Sequence, residues 1–166
     1  MPSKKKASLS LLLLGLLALG LACQPVQGVR VARVIDGDTI EISSGERVRY
    51  IGVDAPERGA PFSREATRAN QELVLGRRVR LERDVTERDR YGRLLRYVYV
   101  NGTFVNGELV RRGLARSRAY PPDSKYQALL DSLETEARAG NRGMWGAGRG
   151  SRPADALRAA GIPLGR

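Results

Sequence analysis

The fold of this chain is decided by two neighbouring stretches, I-D-G-D-T-I-E-I at residues 35–42 and R-Y-I-G-V-D-A-P-E at residues 49–57. Both are rich in β-branched residues, and turn residues lie between them. Asp36-Gly37 is a strong hairpin dipeptide, and Ser44-Gly45 marks the next turn. The pattern therefore predicts three strands in succession, at residues 29–35, 38–43 and 46–53.

Outside these strands the pattern predicts three helices and two further strands. Ser63 as N-cap and Gly76 beyond the end indicate a first helix at 64–75. Apolar residues at helical spacing indicate a last helix at 124–139, with Ser124 or Asp123 as its cap. The remaining predicted elements are strands at 78–83 and 93–100 and a short helix at 106–112, capped by Asn106.

The composition fits a polyanionic partner and equally a basic protein with no nucleic-acid role, and it excludes several kinds of catalytic site. Of the 166 residues, 29 are basic and 18 acidic, which gives a net charge of +11 and attracts nucleic acid. The sequence has no histidine, so a histidine base, a histidine–metal cluster and a Ser-His-Asp triad are excluded. Its single cysteine, Cys23, excludes zinc–thiolate sites and internal disulfides.

What remains is chemistry by carboxylates, arginines and a hard cation. Asp38 and Asp54 offer oxygen ligands, and pairing of adjacent strands can bring them together. Arg49 and Arg93 offer planar forks that suit a phosphate group. Glu57 follows a stiffening proline and is a candidate base for water. This set is what metal-assisted cleavage of a phosphodiester requires.

Three ordered motifs resemble the staphylococcal nuclease (thermonuclease) family: D-G-D-T at 36–39, V-D-A-P-E at 53–57 and D-R-Y-G-R at 89–93. The resemblance runs from about residue 29 to residue 145. It implies an α+β fold, a five-stranded Greek-key barrel of the OB type with three helices. Residues 29–146 are then the nuclease domain, followed by a Gly-, Arg-, Pro- and Ala-rich tail at 147–166.

The resemblance also implies a role for each site residue. Asp38, Asp54 and the carbonyl of Ala55 are expected to hold Ca²⁺, while Glu57 acts on the attacking water as base or as positioner. Arg49 and Arg93 are expected at the scissile phosphate. Contacts with the rest of the nucleotide fall to Arg90, Tyr91 and Tyr120. The expected substrates are DNA and RNA, single-stranded or frayed, cut at the P–O5′ bond to leave 3′-phosphate ends by a monomeric endonuclease.

Each of these residues also has a simpler interpretation. Asp36-Gly37-Asp38 alone is most often only a hairpin turn, Glu57 can be a surface glutamate, and either arginine can be a solvated charge. Two other functions therefore stay open. One is a catalytically silent OB-fold module that binds nucleic acid, and the other is an envelope protein that calcium merely stabilises.

The first 22 residues read as a signal peptide, because three lysines precede a leucine-rich run of about 15 residues. That run is shorter than the roughly 20 residues needed to cross a bilayer. Residues 19–23, L-G-L-A-C, resemble a bacterial lipobox with Cys23 as the acylated residue; ordinary signal-peptidase cleavage is the alternative. Residues 23–28 would form a linker. An exported protein, extracellular or held at the cell envelope by lipidated Cys23, is expected.

Overall fold

Five strands close into a barrel in the computed structural model, which describes residues 28–146. Residues 28–146 contain eight strands, of which β1, β2, β3, β5 and β6 form the barrel. Their bounds are β1 (Val29–Val34), β2 (Thr39–Ile42), β3 (Arg47–Tyr50), β4 (Val53–Asp54), β5 (Arg78–Glu82), β6 (Leu94–Val100), β7 (Thr103–Phe104) and β8 (Arg116–Ser117). The ring runs β1-β2-β3-β6-β5 and back to β1; every pair is antiparallel except β3–β6, whose parallel pairing closes it. The predicted α+β, five-stranded OB-type barrel is confirmed.

Each strand of the barrel contributes at least one aliphatic side chain to the interior. Val31, Ile40, Val48, Val79 and Val98 are each at most 1% exposed. The strand β1 departs from simple alternation because its register against β2 shifts between Val31 and Arg33. This bulge places the inward residues Val31 and Val34 three positions apart, which explains the weak periodicity of that strand.

Three helices pack outside the barrel: α1 (Ser63–Val74), α2 (Val105–Arg111) and α3 (Gln127–Ala139). The predicted N-caps are wrong, whereas Gly76 lies just beyond the C-cap of α1 as predicted, with a φ of 71°. Ser63 is already helical and follows Phe62, which is left-handed at φ 67° and makes no side-chain cap. The helix α3 starts three residues later than predicted, and no side chain caps it either.

The predicted cap Asn106 lies inside α2 and is fully buried. Its side-chain oxygen accepts the N–H of Val98 at 2.9 Å, and its amide nitrogen donates to the carbonyl of Ile51 at 2.9 Å. A single side chain thus ties α2 to the barrel strand β6 and to the segment that leaves β3. Buried amides are stable only with such partners, because an unsatisfied polar group is costly to bury.

The predicted strand at 46–53 is interrupted, and the interruption positions the site. It divides into β3 and β4 at Gly52, whose φ of 76° is a left-handed conformation that favours glycine. The chain then leaves the barrel, and β4 pairs with β8 instead. Asp54 therefore projects beyond the barrel end rather than from its wall.

Residues 1–27 and 147–166 lie outside the described range, and with them the predicted signal peptide, most of the predicted linker, Cys23 and the predicted tail. Within residues 28–146, no helix has both the length and the apolar character needed to cross a bilayer. Trp145 is half-buried, and the guanidinium groups of Arg138 and Arg116 lie 3.7 and 5.3 Å from its ring.

Candidate active site

The turn that carries Asp38 is packed against the segment that carries Asp54. A Cβ atom on Gly37 would lie 2.6 Å from the Cβ of Ala55 and 2.8 Å from that of Ala66, so only glycine fits there. The backbone of Asp38 accepts the N–H of Tyr50 at 2.9 Å, which extends the pairing of β2 with β3. The two aspartates, 16 positions apart in the sequence, are thereby brought to one end of the barrel.

A guanidinium group joins the two carboxylates. Arg49 forms an ion pair with Asp38, and its Nη2 donates to Asp54 Oδ1 at 3.1 Å. Asp38 is 5% exposed and is held on its other side by the backbone N–H of Ala55, at 2.6 Å from Oδ2. Because two buried or half-buried carboxylates converge on one cationic group, this end of the barrel is built to accommodate positive charge.

The carbonyl of Ala55 stays a predicted metal ligand, since the contact observed for this residue is made by its N–H. Within residues 28–146, no group of three or more Asp, Glu, Cys or His side chains could hold a metal. A cation bound here would have two carboxylate ligands, and carbonyls, water and substrate would supply the others. Hard oxygen donors of this kind fit Ca²⁺ and Mg²⁺ and do not fit a soft metal.

A cavity of about 590 Å³ opens beside this pair of carboxylates. It brings together seven of the predicted site residues: Arg49, Asp54, Glu57, Arg90, Tyr91, Arg93 and Tyr120. Asp38 and Ala55 lie behind its wall, linked to it through Arg49 and Asp54. Every predicted site residue in the described range is therefore in the cavity or in direct contact with a residue that lines it.

Glu57 lies on the cavity rim, exposed, immediately after Pro56. Among the described residues its carboxylate has no ion pair and no hydrogen bond. The carboxylates of Asp38 and Asp54, in contrast, both form ion pairs with Arg49. A carboxylate without a protein partner at the rim of a basic cavity is free to bind water.

Arg93 is oriented by Asp89, which also lines the cavity. The carboxylate of Asp89 accepts the backbone N–H groups of Tyr91 at 2.9 Å and Arg93 at 3.0 Å, and the Nε of Arg93 at 2.7 Å. Burial is the largest single influence and would raise the pKa of Asp89, but the hydrogen bonds from Arg93 and from the Tyr91 backbone, with the charge of Arg93, together outweigh it and leave the pKa below its usual value. Since Asp89 uses only Nε, the two Nη groups of Arg93 can serve a ligand.

The other wall of the cavity is aromatic and exposed. Tyr91 is 68% exposed and Tyr120 40% exposed. Arg90 donates to the Tyr91 hydroxyl at 2.8 Å and lies 4.9 Å from its ring, and Arg118 lies 5.7 Å from the ring of Tyr120. Exposed rings beside guanidinium groups are suited to stacked bases and their phosphates.

Comparison with known proteins identifies the family of this chain. The family model described as "Staphylococcal nuclease homologue" matches residues 47–147. The chain belongs to the staphylococcal nuclease family. The matched segment contains Arg49, Asp54, Glu57 and Arg93, and Asp38 is joined to it by its contacts with Arg49 and Ala55.

Three curated relatives are similar over most of the chain. It is 40% identical to a thermonuclease of Staphylococcus intermedius, over 69% of this chain and 74% of that protein. It is 36% identical to a thermonuclease of Staphylococcus hyicus, over 76% of this chain and 80% of that protein. With the endonuclease YncB of Bacillus subtilis the identity is 41%, over 70% and 61% of the two chains. Membership of this nuclease family supports a nuclease function.

Two residues of the site were missed by sequence reasoning. Asp89 belongs to the D-R-Y-G-R motif quoted above. An aspartate three positions before Gly92 indicates an Asx turn, in which the aspartate side chain accepts the N–H of the residue two positions later. Arg118 lies 3.6 Å from Asp54 Oδ2 and beside Tyr120. Its position depends on the pairing of β4 with β8, which the sequence pattern did not predict.

Proposed function

We propose that this protein is a Ca²⁺-dependent nuclease that hydrolyses phosphodiester bonds in DNA and RNA. The observation that carries the proposal is the convergence of Arg49, Glu57, Arg93 and Asp54 on one open cavity. Two arginines, an unpartnered carboxylate and an acidic cation site are the groups that hydrolysis of a phosphate diester needs.

Asp38 and Asp54, with the carbonyl of Ala55, are the residues that would hold the cation. When bound, Ca²⁺ neutralises the phosphate and lowers the cost of its additional negative charge. Arg49 would then exchange part of its contact with the aspartates for a phosphate oxygen. Such an exchange would leave neither carboxylate without a cationic partner, because the cation would replace the guanidinium beside them.

Glu57, Arg49 and Arg93 would carry out the hydrolysis itself. A water oxygen attacks phosphorus, and Glu57 orients this water or accepts its proton. The P–O5′ bond breaks; the leaving oxygen takes a proton from solvent and becomes a 5′-hydroxyl, while the phosphate stays on the 3′ oxygen. Arg49 and the Nη groups of Arg93 stabilise the charge on the phosphate oxygens. The exposed tyrosines at the rim of the cavity can stack on unpaired bases, so single-stranded or frayed substrate is favoured.

A binding module without catalytic activity is the second candidate, favoured by the exposed tyrosine–arginine pairs. The two candidates differ in a plasmid and denatured-DNA assay performed with Ca²⁺ and then with EGTA. Degradation that EGTA abolishes supports the nuclease. A shift in mobility with intact DNA supports the binding module.

The decisive variant is Glu57→Gln, which keeps the shape of the side chain and removes its charge. Its rate should fall by about 100- to 10,000-fold, the range for loss of a positioned base. Glu72→Gln is the matched control, because Glu72 is exposed on α1 and has no ion pair among the described residues. Equal rates in the two variants would contradict the role proposed for Glu57.

We also propose that the protein works as an exported monomer, outside the cytoplasm, where calcium is plentiful. Acylation at Cys23 would keep it at the cell envelope, and cleavage near residue 22 would release it. Metabolic labelling with a fatty acid, comparing the natural chain with Cys23→Ser, separates these two fates.

A further inference from the structure

A second groove, of about 650 Å³, adjoins the catalytic cavity and has no role in the mechanism above. It is formed by the turn at residues 45–47 and the loop at residues 88–93, and we call it the Arg47 groove. Tyr91 and Arg93 line both the Arg47 groove and the catalytic cavity. A nucleic-acid strand bound at Arg93 can therefore continue past Tyr91 into the Arg47 groove.

Strand register places Arg47 beside the two catalytic arginines. Arg47 and Arg49 lie on the outer face of β3, alternating with the buried Val48 and Tyr50. Residues two apart on one strand stand about 7 Å apart. Because Val48 pairs with Leu94 in the parallel register, Arg47 also lies level with Arg93, the residue just before β6.

The charge of Arg47 is not compensated by the carboxylates near it. Glu41, opposite Arg47 on β2, is bound by Arg33 at 2.8 Å. Glu46, which lines the groove, is bound by Arg88 at 2.6 Å. Within residues 28–146 Arg47 itself makes no ion pair and is exposed.

We propose that the Arg47 groove binds the phosphodiester backbone of the nucleotides next to the bond that is cut, with Arg47 as the phosphate ligand. The inference rests on the proposed nuclease function, because the strand enters from the catalytic cavity. It assigns to Arg47 a part in binding long substrates and none in the chemistry. Glu46 opposes the bound phosphate, but its charge is already neutralised by Arg88.

The test compares oligothymidylates of different length. Fluorescein-labelled dT3 and dT12 are titrated in EGTA with protein carrying Glu57→Gln, so that cleavage does not interfere. Arg47→Ala should weaken binding of dT12 by about two- to fivefold and leave dT3 unchanged, as expected for one exposed charge pair. The slope of log affinity against log salt should become shallower by about 0.7, the value for one phosphate contact on a single strand.

Two further variants complete the design. Arg47→Lys keeps the charge and should retain most of the binding of dT12. Arg77→Ala is the matched control, since Arg77 is exposed, lines neither the groove nor the cavity, and makes no ion pair in the described part of the chain. A loss that is equal for dT3 and dT12, a loss equal to that of Arg77→Ala, or no loss would overturn the proposal.

The two proposals fail in different ways. Wild-type protein that does not cleave DNA, while Arg47→Ala still shows the length-dependent loss, overturns the nuclease and supports the groove as a binding subsite. Cleavage by wild-type protein without that loss overturns the groove alone.

Discussion

The two walls of the catalytic cavity are constructed in different ways. On the cation side, Arg49 projects from β3 and Asp38 lies in the turn just before β2, which pairs with β3; the side chain of Arg49 is 13% exposed. On the substrate side, Tyr91 and Arg93 belong to a loop whose shape is set by the carboxylate of Asp89. Strand register fixes the first wall, whereas hydrogen bonds donated to a few carboxylates fix the second. A change to the first should therefore cost stability as well as rate.

The largest effects are expected for the two arginines, and stability should separate them. Arg49→Ala and Arg93→Ala should each lower the rate by about 100- to 1000-fold, the cost of losing one donor at the reacting phosphate. Arg49→Ala leaves Asp38 buried without its cation and should also lower the free energy of unfolding by about 3 kcal/mol. Arg93→Ala should lower it by about 1 kcal/mol or less. Urea unfolding without metal measures the free energy of unfolding of both variants. If the two variants lose the same amount of stability, the proposed difference between the two walls is wrong.

Much of the cation wall could be predicted from the sequence, because it follows from local signals. The Asp36-Gly37 turn and the alternation of β2 and β3 determine which residues pair, and they bring Asp38 and Asp54 together. The bridge that Arg49 forms between them was not predictable from spacing, since it depends on where a long side chain points. The barrel closure through β3 and β6 came from the family resemblance and from no local pattern.

The errors at Asp123 and Asn106 share one physical cause, which is that distant partners compete for polar side chains. Asp123 was a predicted helix cap, yet its carboxylate accepts the N–H groups of Val85 and Thr86, about 37 positions away. Asn106 likewise binds Val98 and Ile51 instead of capping α2. Strands of two residues, such as β4 and β8, are too short to show any period.

The next prediction concerns Asp89, which positions Arg93. Asp89→Asn should lower the rate by about tenfold, since groups that orient a catalytic side chain typically matter at that level. In the Arg93→Ala background the same substitution should have almost no further effect on the rate, because its target is gone. A double-mutant cycle on initial rates measures this coupling. Additive losses would mean that Asp89 acts only on the stability of the loop.

Asp123 joins two loops of the substrate wall, and its effect on the rate should be smaller. It is 3% exposed and accepts the N–H groups of Val85 at 3.0 Å and Thr86 at 2.8 Å. Asp123→Ala should lower the free energy of unfolding by about 2 kcal/mol, because two donors lose their acceptor. The backbones of Tyr120 and Asp123 form an isolated β-bridge, so loss of the Asp123 side chain should also disturb the position of Tyr120. The KM for DNA should therefore rise severalfold while kcat changes little. A fall in kcat with constant KM would assign Asp123 to the cation wall instead.

The smallest expected effect is a pH dependence at Glu82, whose carboxylate joins β5 to the residues just before α3. Its carboxylate accepts from Lys125 at 2.6 Å, Arg80 at 2.8 Å and Tyr126 at 2.8 Å. These bonds, with Lys125 first, lower the pKa of Glu82 from its ordinary 4.5 to about 2. Because the folded pKa is depressed, the stabilisation is complete above pH 4.5 and is lost as the pH falls toward 2.

At neutral pH, solvent screening limits the expected cost of Glu82→Gln to about 1 kcal/mol. The difference from wild type in urea unfolding should shrink below pH 4.5 and vanish near pH 2. Glu72→Gln, without partners in residues 28–146, should show no such pH dependence. If the cost of Glu82→Gln stays constant down to pH 2, the ion pairs of Glu82 contribute nothing, and packing alone holds α3 against β5.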